Sequence, residues 1–182
     1  METQWRVSRM QALWQAMHCL DAEHAIAAME SAVHQGFLTE SDIATLALFA
    51  PRRLLADIHR MVRNSGSGNE TIVRLRLVHV GHRVESQGAV PGVGHQDLLV
   101  DECLGLEIDS HAWHSGEEQR AIDYDRDLHA AGLGRTTLRI RPEHIYSSWP
   151  VTLAVIERAA ADAARAMKSR SGRVVVRRGD PL

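Results

Sequence analysis

The amino-acid sequence predicts an α/β protein, with a mixed four-stranded sheet flanked by helices and a small N-terminal helical bundle. Three observations support this fold class. Residues 1–64 carry apolar side chains at helical spacing. Residues 64–69 are Asn, Ser and Gly only, a composition that breaks regular structure. After this break the chain has the pattern of a helix, three strands, a helix, a strand and a helix, an order typical of a mixed sheet covered by helices. We therefore expect a helical lobe at 1–64, a core at 65–167 and a basic, mobile tail at 168–182.

Four helices are predicted in the N-terminal lobe. The first two precede Gly36, a common helix stop, and the second of them spans Asp21 to Gln35. Thr39 is a suitable N-cap for the third helix, which has an acidic first turn, and Pro51 opens the fourth. The lobe carries no metal-binding or catalytic pattern. Its histidines are interpreted as surface or structural residues: His18, His24, His34 and His59.

The segment after the break is compatible with two structures. Val73, Leu75 and Leu77 alternate with arginines, which predicts a strand. The same segment also places apolar side chains on one face of a helix that would end at Gly81. Periodicity alone leaves both structures open.

The sheet is predicted from four apolar segments that span residues 83–90, 96–100, 103–108 and 136–140. Only Asp101 and Glu102 separate the second strand from the third, so these two strands should form a tight hairpin.

Helices complete the predicted core. A charged helix should run from about residue 115 to residue 133, and Pro142 should start a short helical turn. A long helix should begin at Pro150 and end near Met167. In the tail that follows, residues 174–176 could add an edge strand.

The composition of the chain excludes several classes of protein. The two cysteines, Cys19 and Cys103, lie far apart, which argues against a disulfide framework and fits a cytoplasmic protein. No apolar run reaches the roughly 18 residues that a membrane span requires. The formal net charge is −2, but basic residues cluster in patches that could contact phosphates.

Three acidic residues carry the most informative pattern. Asp97 begins an apolar strand, and Glu107 and Asp109 end the next strand, where both should project from the same face. The hairpin should bring Asp97 beside Glu107. Adjoining carboxylates repel one another unless a cation lies between them, and Mg²⁺ prefers oxygen ligands of this kind. The alternative is that these acids are exposed at strand ends and bind nothing.

The order of these residues resembles a known superfamily. Asp97, followed after nine residues by Glu107-Ile108-Asp109, resembles the PD-(D/E)xK motif of restriction-endonuclease-like nucleases. The longer pattern is similar to a branch of short bacterial proteins related to very-short-patch-repair endonucleases. Six elements carry this resemblance: Ser67-Gly68-Asn69-Glu70, Asp97-Leu98-Leu99-Val100, Glu107-Ile108-Asp109, Trp113-His114, Asp123-Tyr124-Asp125-Arg126-Asp127 and Gly134-Arg135-Thr136-Thr137-Leu138-Arg139.

The resemblance implies a restriction-endonuclease-like core, with residues 69–80 as a helix, and metal-dependent hydrolysis of DNA. Asp97 and Glu107 would hold Mg²⁺ or Mn²⁺, with the Ile108 carbonyl as a further ligand. Glu70 would orient a metal-bound water, and His114 would assist the attacking water. Such a general base is typically worth on the order of 10²–10⁴ in rate.

The sequence departs from the superfamily pattern at one catalytic position. The motif usually ends in lysine, and Asp109 stands there instead; the chain's single lysine, Lys168, lies in the tail. Glu-x-Asp is usual in the branch that the chain resembles, so catalysis remains expected. The identity of the general base stays open, because Asp109 could bind a second metal or orient His111 or His114. A cysteine and histidine zinc quartet, usual in very-short-patch-repair proteins, is absent from the sequence, which weakens a specific repair role.

Four arginines are candidates for nucleic-acid contact. Arg74 lies in the first basic patch of the core, Arg120 and Arg126 belong to the charged helix, and Arg139 ends the fourth strand. The alternative for the charged helix is an ordinary salt-bridged surface. Arg139 could also pair with the acids of the site.

The sequence therefore predicts a cytoplasmic DNA endonuclease that nicks or cuts, with a role in repair, restriction or defence left open. A homodimer would suit cleavage of both strands, and the N-terminal lobe could bind a regulatory partner. The alternative is a catalytically silent nucleic-acid-binding or partner-binding module, such as a toxin–antitoxin component, that keeps the nuclease fold. The clustered carboxylates argue against this alternative, because a binding module has no evident need for them.

Overall fold

The computed structural model describes residues 7–109 and 128–174, with backbone alone for 171–174. The chain divides into two compact units, Met1–Arg76 and Leu77–Leu182. The first unit is helical in its described part, and the second contains a mixed sheet. The protein is therefore an α/β protein, as the sequence predicts.

The helices of the first unit begin where polar side chains cap them. Ser8, Asp21 and Thr39 each accept a hydrogen bond from a backbone N–H of the first helical turn. The fourth predicted helix is shorter than expected: a 3₁₀ turn leads into one helical turn that ends at Ile58. The helices of the lobe are α1 (Arg9–Cys19), α2 (Ala22–His34), α3 (Glu40–Ala47) and α4 (Leu55–Ile58), with the 3₁₀ turn at Arg52–Leu54.

Aliphatic side chains form the core of the first unit. The largest fully buried members of this cluster are Met17, Ile26, Met29 and Leu54. Leu75, from the helix that follows the predicted domain boundary, belongs to the same cluster.

Helix α5 (Gly68–His79) explains why the two units divide at Arg76 and not at residue 64. Its residues up to Arg76 belong to the first unit, where Arg74 pairs with the carboxylate of Glu30 and Arg76 with that of Glu23. The break in the sequence therefore lies in the connection between α4 and α5, inside the first unit. The helical alternative for this segment is confirmed, and the predicted boundary moves into α5.

The second unit contains a four-stranded sheet in the order β1-β2-β3-β4. β1 and β2 are antiparallel, as are β2 and β3, whereas β3 and β4 are parallel. The strands span Val84–Val90, Gly94–Val100, Leu104–Ile108 and Thr136–Ile140, close to the predicted bounds.

The turn between β2 and β3 is tight but one residue longer than the sequence predicts, because Asp101, Glu102 and Cys103 lie between the paired residues Val100 and Leu104. Asp101 and Glu102 adopt φ angles of 49° and 62°, and the Cys103 N–H donates to the Val100 carbonyl at 3.0 Å. The Asp101 carboxylate accepts a hydrogen bond from the Arg83 N–H at 3.0 Å and pairs with His82. These contacts tie the turn to the start of β1.

Helices accompany the sheet in the second unit. Residues 128–132 are helical (α6), followed by α7 (Pro142–Tyr146) and α8 (Trp149–Val174). Helix α8 contacts β3 and β4, and its residue Ile156 is fully buried. Cys103 lies against α8, because its thiol approaches the Ala160 carbonyl at 3.5 Å.

Helix α8 corrects two expectations about the C-terminal segment. It continues past Met167 to Val174, so residues 168–174 are neither an irregular tail nor the start of an edge strand. Most of the predicted charged helix at 115–133, and residues 175–182 of the tail, lie outside the described residues. Among the helices in the described ranges, none combines the length and the apolar character needed to cross a membrane.

Candidate functional site

The register of the β2–β3 hairpin brings the predicted metal ligands opposite one another. The last registered pair of the ladder is Leu98↔Leu106. One further step in the same register sets Asp97 against Glu107, and residues opposite each other in an antiparallel pair share a face of the sheet. Both side chains are half-buried. The register of the ladder therefore supports the predicted juxtaposition of these two carboxylates, which stays a prediction.

The backbone ladder between β2 and β3 stops at this point, although both strands continue. Asp109 donates its N–H to the Ile140 carbonyl on β4 at 2.9 Å, so the preceding N–H of Ile108 faces β2. That N–H donates to Asp97 Oδ2 at 2.7 Å. A side-chain carboxylate thus takes the position of a main-chain acceptor, which fixes one oxygen of Asp97 where the two strands cease to pair.

The acids belong to a polar row that crosses all four strands. On β4, Arg139 is the registered partner of Glu107 in the parallel pair. On β1, Gln87 occupies the register position opposite Asp97, and its Nε2 lies 3.4 Å from Asp97 Oδ1. The row reads amide, carboxylate, carboxylate, guanidinium. The cationic and amide groups at its ends reduce the repulsion between the two central carboxylates.

Asp109 follows β3 directly and is half-buried. It lies directly after the last registered pair of β3 with β4, Ile108↔Ile140, and its predicted catalytic role stays a prediction.

The donor set of Asp97 and Glu107 suits a hard divalent cation. Both offer carboxylate oxygens, and Mg²⁺ is commonly held by one or two carboxylates together with several waters. Asp97 Oδ2 is engaged by the Ile108 N–H, which leaves Oδ1, with its long contact to Gln87, as the more accessible oxygen. These residues therefore fit the predicted Mg²⁺ or Mn²⁺, with the Ile108 carbonyl as the third predicted ligand.

A different part of the chain brings three potential metal ligands together: Asp21, Glu23 and His24. Within the described residues, this is the sole group of three whose donor atoms lie within 4.8 Å of one another. This group has a structural explanation at the start of α2. Asp21 caps the helix, and although slight burial acts in the opposite direction, hydrogen bonds from His24 lower the pKa of its carboxyl group. Glu23 pairs with Arg76. The acidic group thus organises the helix start and adds no support for a metal.

Glu70 is in the first unit and is a buried residue, 5% exposed. Its Oε2 accepts the Gly66 N–H at 2.8 Å, while its own N–H donates to the Ser67 hydroxyl at 3.2 Å. The Ser67-x-x-Glu70 pattern therefore forms a local cap at the start of α5. Its predicted role in orienting a metal-bound water stays a prediction.

Arg74 has a different role from the one predicted. Its side chain is 3% exposed, pairs with Glu30 and donates to the Arg60 carbonyl at 2.8 Å. A guanidinium in this interior position cannot reach a phosphate without leaving its carboxylate partner. The structure thus replaces the predicted nucleic-acid contact with a role in holding α5 on α2.

The remaining predicted residues divide into two groups. Arg139 is exposed at the end of the polar row, where a phosphate could approach it. Its DNA contact stays a prediction. Three other candidates lie outside the described residues and also stay predictions: His114, Arg120 and Arg126.

Comparison of the chain with protein-family models, with curated proteins and with solved structures finds no match. A functional assignment must therefore come from the residues of this chain and from the order in which they occur.

Proposed function

We propose that the chain is a metal-dependent endonuclease with a restriction-endonuclease-like core, and that it hydrolyses DNA phosphodiester bonds at a site built on Asp97 and Glu107. The observation that carries this proposal is the position of the two carboxylates. Both lie where the β2–β3 ladder ends, and the N–H of Ile108, the residue after Glu107, donates to Asp97 Oδ2 at 2.7 Å.

The order of the elements supports the same proposal. A helix, three antiparallel strands and a fourth strand parallel to the third follow one another along the chain, and the resemblance to the superfamily is drawn from motifs in this same order. This topology makes β2 and β3 neighbours in the middle of the sheet, so that a functional site on them is flanked by β1 and β4. Fold alone does not determine function, which is why the proposal depends on the acids.

Each side chain of the polar row would have its own role in the reaction. Asp97 and Glu107 would hold the cation, and the Ile108 N–H restricts rotation of the Asp97 carboxylate. Arg139, exposed beside Glu107, is suited to bind and orient a DNA phosphate because a guanidinium offers several N–H donors. A bound Mg²⁺ or Mn²⁺ supplies charge that polarises the scissile phosphate and lowers the pKa of the attacking water.

DNA is the proposed partner, in the cytoplasm. A homodimer and a regulatory partner of the N-terminal lobe remain part of the proposal. Nicking requires one active site, whereas cutting both strands would be served by two copies related by symmetry.

Cleavage of supercoiled plasmid tests the proposal. Wild-type protein with Mg²⁺ or Mn²⁺ is expected to convert the plasmid to the nicked or linear form, and EDTA should abolish this activity. Asp97→Asn and Glu107→Gln should each reduce the rate by more than about 100-fold, because even residues outside the ligand set of a metal cost 10–100-fold. Glu157→Gln is the matched control, since Glu157 is an exposed carboxylate on α8.

The result that would contradict the proposal is absence of metal-dependent cleavage of plasmid, single-stranded DNA and RNA by folded wild-type protein. Equal binding of these nucleic acids with and without metal would then favour the silent binding module. A circular dichroism spectrum for each variant excludes loss of activity through unfolding.

A further inference from the structure

Gln87 has a backbone conformation that is unusual for its residue type. Its φ is 52°, within the left-handed region that side chains with a Cβ rarely adopt. This conformation costs about 1–2 kcal/mol for a residue other than glycine. Non-glycine residues in such conformations are found more often at functional sites than elsewhere.

The unusual conformation coincides with a local interruption of the sheet. The pairs Ser86↔Leu98 and Gly88↔Gln96 follow one continuous register on either side of Gln87, yet Gln87 and Asp97 form no registered pair between them. The interruption therefore occurs opposite the candidate ligand and leaves the rest of the β1–β2 ladder in register.

The next residue holds β1 close to β2 at this point. A Cβ built on Gly88 would lie 2.5 Å from the Leu99 Cβ, closer than real side chains approach. Glycine at this position permits the close approach of the two strands. The backbone around Gln87 is thus held by close packing, which accounts for how a strained conformation persists.

The side chain of Gln87 extends to the Asp97 carboxylate. Its Nε2 lies 3.4 Å from Asp97 Oδ1, while Oδ2 of the same carboxylate accepts the Ile108 N–H at 2.7 Å. One oxygen is therefore bound tightly to the main chain, and the other has a long contact with a neutral amide. A contact of this length is at the outer limit for a hydrogen bond, so it can guide the carboxylate without occupying Oδ1 fully.

We propose that Gln87 is a positioning residue for Asp97. Its left-handed backbone directs the carboxamide to Oδ1, which keeps Oδ2 on the Ile108 N–H and presents Oδ1 for a divalent cation. The part that concerns the cation rests on the proposed function. The part that concerns the orientation of the carboxylate is independent of any metal.

Gln87→Gly separates the effect of the side chain from the effect of the backbone conformation. Glycine adopts positive φ readily, so the variant removes the carboxamide while it relieves the strain. We expect its thermal stability to equal or exceed that of the wild type. We expect its affinity for Mn²⁺, measured by electron paramagnetic resonance of the free ion, to fall about 10-fold, the lower end of what residues supporting a metal ligand contribute.

A second measurement works without metal. Amide hydrogen exchange at Ile108 should quicken several-fold in Gln87→Gly, because its acceptor becomes free to rotate. The adjacent amide of Asp109 is the internal control, since it donates to Ile140 on β4 and should exchange at the wild-type rate. Gln87→Asn keeps a carboxamide on a residue type that tolerates positive φ, and should retain more Mn²⁺ affinity than the glycine variant.

The outcomes distinguish the two proposals. Unchanged Ile108 exchange in Gln87→Gly, or equal acceleration at Ile108 and Asp109, would overturn the positioning role. An unchanged Mn²⁺ affinity in that variant would also overturn it. If wild-type protein binds no Mn²⁺ and Asp97→Asn behaves identically, the proposed function fails, and Ile108 exchange alone then decides the role of Gln87.

Discussion

The ion pair between Arg74 and Glu30 gives the sharpest prediction about stability. Both side chains are buried, at 3% and 1% exposure. Arg74→Ala would remove the cation and leave a buried carboxylate whose remaining hydrogen bonds come from the Val62 N–H at 2.8 Å and the Thr71 hydroxyl at 2.6 Å. Breaking a buried ion pair from one side typically costs about 3–5 kcal/mol. Because these two donors remain, we expect a loss of about 3 kcal/mol in the free energy of unfolding.

Urea denaturation followed by circular dichroism measures this loss. With a denaturant dependence of about 2 kcal/mol per molar, the midpoint should fall by about 1.5 M. Arg76→Ala is the matched control on the same helix. Its ion pair with Glu23 is partly exposed, so we expect a loss of about 1 kcal/mol or less.

A second comparison separates this role from the nucleic-acid contact predicted from the sequence. Replacing both partners, as Glu30→Leu with Arg74→Met, should recover much of the stability lost in Arg74→Ala, because no uncompensated charge remains. An arginine that only contacted phosphates would reduce DNA affinity while leaving the unfolding midpoint unchanged. If the free energy of unfolding of Arg74→Ala stays within about 0.5 kcal/mol of the wild-type value, as for ordinary surface substitutions, the structural role is refuted.

Two further predictions concern the packing of the second unit. Gly105→Ala should destabilise the protein by about 1–3 kcal/mol in a thermal melt, since its Cβ would lie 2.3 Å from the buried Gln96 Oε1. The control is Gly132→Ala, where a Cβ meets nothing within 4 Å, and its stability should be unchanged or slightly higher. Equal losses of stability in the two variants would contradict this account. Burial, aided by the nearby Asp101 carboxylate, raises the pKa of the Cys103 thiol, so Cys103 should react with iodoacetamide far more slowly than the exposed Cys19 at pH 8. Mass spectrometry of the labelled peptides measures both rates, and similar rates in the folded protein would show that Cys103 is accessible.

The strands could be predicted from the sequence because their signals are local. Apolar segments bounded by Pro-Gly and by the Asp101-Glu102 turn gave four strands with bounds within two residues of those observed. The register of the hairpin depends on the number of residues in its turn. A loop of Asp101 and Glu102 alone would set Asp97 against Leu106, whereas the observed pairing of Val100 with Leu104 places Cys103 in the loop as well and leads to Glu107.

The features that escaped prediction depend on contacts between distant residues or on unusual backbone. The partner of Arg74 lies 44 residues away on α2, and periodicity does not identify it. This pairing, with that of Arg76, also moved the domain boundary into α5. Gln87 carries no sequence signal for positive φ, since glutamine at that position is an ordinary strand residue. Helix α8 extends beyond its predicted end because Lys168 and Arg170 are good helix formers, although their charge suggested a mobile tail.

The most direct test of the central claim is single-turnover nicking of supercoiled plasmid with Mg²⁺ by Asp97→Asn, Glu107→Gln and the double variant. Residues that act as one catalytic unit are strongly non-additive, so the double variant should nick no more slowly than either single variant. All three should be slower than the wild type by more than about 100-fold. Wild-type rates in folded Asp97→Asn would contradict the assignment of the site to the facing carboxylates of β2 and β3.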